Sequence, residues 1–101
     1  KEMESITIVG SDFYLGMDVF NLNQTLYLVK DLDNKYDSDA IKVVLEGGVQ
    51  VGYVANSVYT VARGTSSAGR IYNGVEDYQK VVVSFIIKNV VIANMMEDTI
   101  D

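Results

Sequence analysis

Four aromatic residues, Phe13, Tyr14, Tyr36 and Tyr53, fall at strand ends or in adjoining loops, and Tyr36 stands among Asn34, Lys35 and Asp37. This is a pattern able to hold a planar, polar ligand. An exposed ring offers a flat apolar face on which a nucleobase stacks for about 1–3 kcal/mol, and Asn and Asp can bind base edges or sugar hydroxyls. A plainer use of the same residues stays open: tyrosines can line the rim of a core with their hydroxyls in water. Asn34 and Asp37 can likewise tie a loop through side-chain to backbone hydrogen bonds.

The rest of the composition narrows the chemistry. With no Cys and no His, the chain has no zinc site of the thiolate and imidazole kind and no thiol- or histidine-based nucleophile. Carboxylates without such partners, and without a glycine-rich phosphate loop, nominate no reaction, so no enzyme and no cofactor are expected. Asp31, Asp33, Asp37 and Asp39 superficially suggest a calcium loop. The glycine and the glutamate that a helix-flanked calcium loop requires are missing from its sixth and twelfth positions. The formal net charge of −6 argues against general affinity for phosphate backbones, so any contact with nucleic acid must be local.

Several elements must position these side chains. At 101 residues the chain suits one domain with one modest core. Residues 5–13 are rich in β-branched side chains and predict a first strand, with Gly10 hinting at a bulge. Residues 25–30 predict a second strand, stopped by the Asp- and Asn-rich stretch 31–37. Residues 40–45 and 49–55 form a hairpin around Glu46-Gly47-Gly48. Asn56 is placed to cap a helix over 57–64, and a second helical turn is expected over 66–72. The apolar runs 80–87 and 90–95 have the β-branching of strands. The expected fold is α+β, mainly β, a small six-stranded OB-like or SH3-like barrel with two short helices.

Residues 1–95 are expected to make the domain, and 96–101 an acidic tail or linker stub; the start at Lys1 suggests a trimmed end. Neither an apolar leader nor a run long enough to span a bilayer is present, and the expected location is cytoplasmic, with no membrane partner.

The stretch Asp33-Asn34-Lys35-Tyr36-Asp37-Ser38-Asp39-Ala40-Ile41-Lys42-Val43, followed by Val51-Gly52-Tyr53-Val54, closely resembles the signature of the HIRAN domain. That family's pattern is roughly Asn-Pro-Tyr-Asp-x-Asn-Ala-Ile-x-Val and then Ile/Val-Gly-His/Tyr-Leu/Val. Val9-Gly10 and Tyr14-x-Gly16 also fit the family's first strand and loop. The resemblance implies a barrel that, in helicase-like fork-remodelling ATPases, binds single-stranded DNA and grips its free 3′-hydroxyl end. It extends to bacterial proteins that carry the domain alone or in other fusions, and implies a DNA-repair setting. On this likeness Tyr36 is the ring under the terminal base and Asp37 the acceptor for the terminal hydroxyl. Phe13 and Tyr14 belong to the first-strand loop, Asn34 and Lys35 to the pocket, and Tyr53 to its support.

Two positions depart from the family's DNA-end binders. Asp12 stands where they have a basic residue, and Tyr53 where they have histidine. An anion in place of a cation beside a phosphate costs on the order of 2–4 kcal/mol in a partly shielded site. Lys35, Lys42, Arg63 and Arg70 could offset this if they converge on Tyr36. The acidic balance also supports a second reading, a protein-interaction or self-assembly module that has lost DNA binding and pairs through an exposed β-edge near residues 81–95.

Overall fold

The computed structural model describes residues 4–97. Six antiparallel strands, β1 (Ser5–Val9), β2 (Thr25–Lys30), β3 (Ile41–Val44), β4 (Gln50–Val54), β5 (Gln79–Ile87) and β6 (Val90–Met95), close into a barrel in the order β1-β4-β3-β2-β5-β6. The period-two pattern of the sequence explains which way the side chains point. Ile6 and Ile8, Leu26 and Leu28, Val81 and Val83, and Val91 and Ala93 all face inward and are buried. Each of these Ile, Leu and Val side chains contributes about 1.5–3 kcal/mol on leaving water, so the barrel interior supplies most of the driving force.

The hairpin over β3 and β4 forms as expected, with the Leu45 N–H donating to the Val49 carbonyl at 2.8 Å. The expected first strand is shorter than residues 5–13. It ends at Val9 because Gly10 takes a left-handed conformation, φ 78°, and starts a 3-10 turn at Ser11–Phe13. The bulges lie elsewhere, as register shifts between Val43 and Val44 and between Val83 and Phe85.

The helix expected over 57–64 does not form. Ser57 nucleates one turn, its carbonyl accepting from Thr60 and Val61 N–H and its hydroxyl from Tyr59 N–H. That turn is not extended, because Val58, Thr60 and Val61 are stiff β-branched residues and the following segment is tied to β1 instead. The buried Thr7 side chain makes the tie. Its Oγ1 accepts from Ala62 N–H at 3.1 Å and lies 2.7 Å from Thr65 Oγ1. Thr65 already donates its single hydroxyl proton to the Ala62 carbonyl, so Thr7 is the donor in the hydroxyl pair. The second expected helical turn is present as α1 (Ala68–Ile71), capped by Ser67, and runs into a 3-10 turn at Tyr72–Gly74.

The expected β-edge along residues 81–95 is absent. β5 pairs with both β2 and β6, and β6 with both β5 and β1, so closure consumes the edge. Only the tip of the β5–β6 hairpin runs beyond the β2 ladder. Met96 remains bonded to β5 through the Lys80 carbonyl, while residues 98–101 of the expected tail lie outside the described residues. No helix among the described residues is long and apolar enough to cross a membrane.

Closure relies on Gly52. A Cβ there would sit 2.7 Å from the Val9 carbonyl oxygen and 3.0 Å from Ile8 Cγ2, and a backbone atom cannot swing aside. Gly52→Ala should therefore part β1 from β4 and destabilise the domain by about 1–3 kcal/mol. Thermal denaturation should show the midpoint falling by about 4 °C or more. An unchanged midpoint would contradict the tight seam.

Candidate functional site

The loop between β2 and β3 is shaped by its own polar side chains. The Asp31 N–H donates to the Ala40 carbonyl and closes the base. Above it the Asn34 Oδ1 accepts from both Tyr36 and Asp37 N–H at 2.9 Å, and its Nδ2 donates to Asp31 Oδ2 at 3.3 Å. This Asx turn satisfies backbone donors that have no strand partner, and it throws the Tyr36 ring into solvent, 97% exposed. Asn34 is thus a builder of the loop, its carboxamide occupied on both sides.

Asp37 holds the loop to the neighbouring elements. Its Oδ1 accepts from Asp39 N–H and its Oδ2 from Asn56 Nδ2, both at 2.9 Å. The Asn56 Oδ1 in turn accepts from Gly69 N–H at 2.8 Å, a partner that can only donate, which fixes the orientation of the carboxamide. The residue expected to cap a helix at 57–64 therefore bridges the loop and α1. A carboxylate offers about four acceptor sites, and two on Asp37 are filled by these partners. The others are available to a ligand hydroxyl.

Tyr53 extends from β4 beneath the loop. Its hydroxyl donates to Asp31 Oδ2 at 2.7 Å, and its ring lies 6.2 Å from that of Tyr14, tilted by 57°. The hydrogen bond to Asp31, with desolvation behind it, pushes the Tyr53 phenol up to about 12. The same bond draws the Asp31 carboxyl below its ordinary value, helped by Asn34 and by the charge of Lys42, whose strand position is opposite Tyr53.

These residues line an open cleft of about 340 Å³. Asn34, Tyr36, Asp37 and Tyr53, four of the seven expected site residues, meet there, with Ala40 and Val54 at its floor and Asn56, Ser57 and Thr60 as its far wall. Phe13, Tyr14 and Lys35 do not line it. Phe13 stands 87% exposed on the 3-10 turn after β1, and Tyr14 reaches the site only through the Tyr53 ring. Lys35 is exposed on the same loop as Tyr36. Among the described residues no three acidic side chains gather closely enough to hold a metal ion.

None of Lys35, Lys42, Arg63 and Arg70 lines the cleft beside Tyr36. Arg63 and Arg70 line a second cleft of about 460 Å³, which shares Asn56 and Ser57 with the first. The sequence-based reading missed Asn56, Ser57 and Thr60 as walls of the site. Their only signal was the run of hydrogen-bonding side chains directly after the Val-Gly-Tyr-Val strand.

The coupling of Tyr53 and Asp31 sets a pH dependence. A phenol with a raised value contributes stability that is fully present below the ordinary tyrosine range near 10 and is lost as pH rises through about 12. A lowered carboxyl contributes stability that is present above the ordinary carboxylate value and lost as pH falls through the depressed one. In an ultraviolet titration of the seven tyrosines, one should ionise late, and Asp31→Ala should return it towards 10. A late tyrosine that survives Asp31→Ala would show that another contact holds it.

Comparison with known proteins agrees with this architecture. The model of the HIRAN domain family matches residues 2–88, a span that includes β1 to β5 and every residue lining both clefts. Among solved structures, the HIRAN domain of human HLTF is similar with a TM-score of 0.67 and 26% identity, over 92% of this chain and 72% of that one. A protein from Lactobacillus plantarum shares the fold with a TM-score of 0.64 and 17% identity, over 91% of this chain and 88% of that one. None of the curated proteins compared matches the chain. The barrel, the Asn34 to Asp37 loop and the family match together establish that this chain belongs to the HIRAN domain family.

Proposed function

We propose that this domain is a non-catalytic DNA-binding module that takes the free 3′-hydroxyl end of a single strand in the cleft beside Tyr36. The observation that carries this reading is Asp37, a carboxylate fixed by Asp39 N–H and Asn56 with acceptor sites left over, next to a ring that nothing in the fold covers. A carboxylate accepts from a hydroxyl and repels a phosphate, so it favours a free end over a continuing strand. The ring supplies a stacking face that does not depend on base identity. Such a local device suits a chain of net charge −6, whose overall field opposes phosphate. Tyr14, on the loop after β1, sets a second ring against Tyr53, and Phe13 stands exposed nearby in sequence. The implied setting is DNA repair in the cytoplasm of a bacterial cell.

Fluorescence anisotropy with short oligonucleotides tests this. Strands ending in a 3′-hydroxyl should bind more tightly than 3′-phosphorylated ones, and Asp37→Asn should shrink the difference. Tyr36→Ala should weaken binding by about 5- to 150-fold, the equivalent of 1–3 kcal/mol of stacking, without lowering the melting temperature. Equal binding of the two ends would sink end recognition.

A protein-interaction module is the second reading. Phe85 and Ile87 are half exposed on the hairpin tip that passes beyond the β2 ladder, an apolar feature that the barrel does not use. Self-association through this tip should appear in size-exclusion chromatography with light scattering and vanish in Phe85→Lys. A strict monomer that binds single strands would count against it.

A further inference from the structure

The second cleft has the opposite chemistry to the first. Arg63 and Arg70, the two arginines of the chain, both line it, together with the hydroxyl-bearing Ser57, Thr65, Ser66 and Ser67. No carboxylate lines it. The first cleft has Asp37 and no cation among its lining residues. The two are separated only by Asn56 and Ser57, which belong to both. A cationic cleft adjoining an acceptor-bearing one has the polarity of a strand end, where a terminal hydroxyl is followed by phosphodiesters.

We infer that the Arg63 and Arg70 cleft binds backbone phosphates of the nucleotides preceding the 3′ end, so that the strand leaves the Tyr36 cleft across the wall formed by Asn56 and Ser57. This rests on the end-binding reading above and extends it to the path of the strand. Guanidinium groups suit the task because they stay charged and pair two-pronged with phosphate oxygens. Arg70 is half committed, its Nε lying 3.8 Å from Glu4 Oε2, which also accepts from Ser66 Oγ at 2.7 Å. Both side chains of that ion pair are exposed, and a pair this loose is readily exchanged for a phosphate. Glu4 therefore acts as a competitor for the cleft.

The cleft is built by the segment that Thr7 fastens to β1, and its position is set by the barrel rather than by the ligand. Neither arginine belongs to the buried core, so their replacement leaves the fold intact.

The test compares a dinucleotide with a six-nucleotide strand, each with a 3′-hydroxyl, across a salt series, in the unaltered protein and in the Arg63→Gln/Arg70→Gln double variant. Two released phosphate contacts should flatten the slope of log affinity against log salt by about 1.4 for the six-nucleotide strand. Its affinity at low salt should fall by about tenfold or more, while dinucleotide binding and the preference for a 3′-hydroxyl persist. Glu4→Gln should strengthen binding of the longer strand. Unchanged slope and affinity in the double variant, with the 3′-hydroxyl preference intact, would overturn the phosphate path and leave end recognition standing. A flattened slope in a protein with no 3′-hydroxyl preference would support the cleft and remove end recognition instead.

Discussion

Barrel closure rests on a short seam between β1 and β4, where Ile8 faces Val54 and Val9 faces Tyr53. Gly52 makes the seam possible, since the Val9 carbonyl occupies the space a side chain would need. The placement of residues 53–56 depends on that approach. It sets Tyr53 where its hydroxyl reaches Asp31 and its ring meets Tyr14, and it brings Ala55 N–H onto the Thr7 carbonyl. Asn56, one residue further on, then lies between Asp37 and Gly69. Gly69 is matched to this arrangement, because a Cβ there would crowd Asn56 Oδ1 at 3.2 Å and Asp39 Oδ2 at 3.3 Å. A packing constraint in the wall of the barrel thus fixes both the floor and the far side of the candidate site.

The acidic loop gains its form by consuming its own charges as acceptors. Asp31 takes the Tyr53 hydroxyl and the Asn34 amide, and Asp37 takes one backbone and one side-chain donor. Carboxylates engaged in this way satisfy donors that a loop cannot place in a ladder. Asp31 and Asp37, two of the four aspartates that superficially suggested a metal loop, are in this sense loop fasteners. Asp37 alone among these fasteners lines the open cleft, so a residue that builds the loop also faces the candidate site.

The strands were legible because alternation and β-branching act over the same few residues that pair. β2 and β6 begin and end as expected, and the β3–β4 hairpin follows from its glycine turn. Long-range ties were not legible. Asn56 followed by Ser57 has the local pattern of a helix start, yet its carboxamide is captured by Asp37, nineteen residues earlier, and by Gly69, thirteen later. Thr7 shows no polar signature within a β-branched run, and it is buried on what would be the outer face of β1 because residues 57–67 fold across it. Ring closure, likewise, is a property of the whole sheet, so an apolar strand pair near the C-terminus resembles an edge until its outer neighbours are known. At the site, Asn34, Tyr36, Asp37 and Tyr53 meet in one cleft because three of them share a loop and the fourth lies in the strand beneath it.

The substitution of tyrosine for histidine after Gly52 has a structural consequence that bears on how such a domain could meet a phosphate. An imidazole at this position could donate to a ligand, whereas the Tyr53 hydroxyl donates its one proton to Asp31. The Tyr53 side chain thereby supports the loop through Asp31. Asp12, exposed on the turn after β1, adds negative charge on the side where the family's DNA-end binders have a basic residue. The Tyr53 proton is thus spent on the near side of the cleft, and no cation lines it. Arg63 and Arg70 line the cleft beyond Asn56 and Ser57, so a strand entering from that side would meet cations first and the lone carboxylate last.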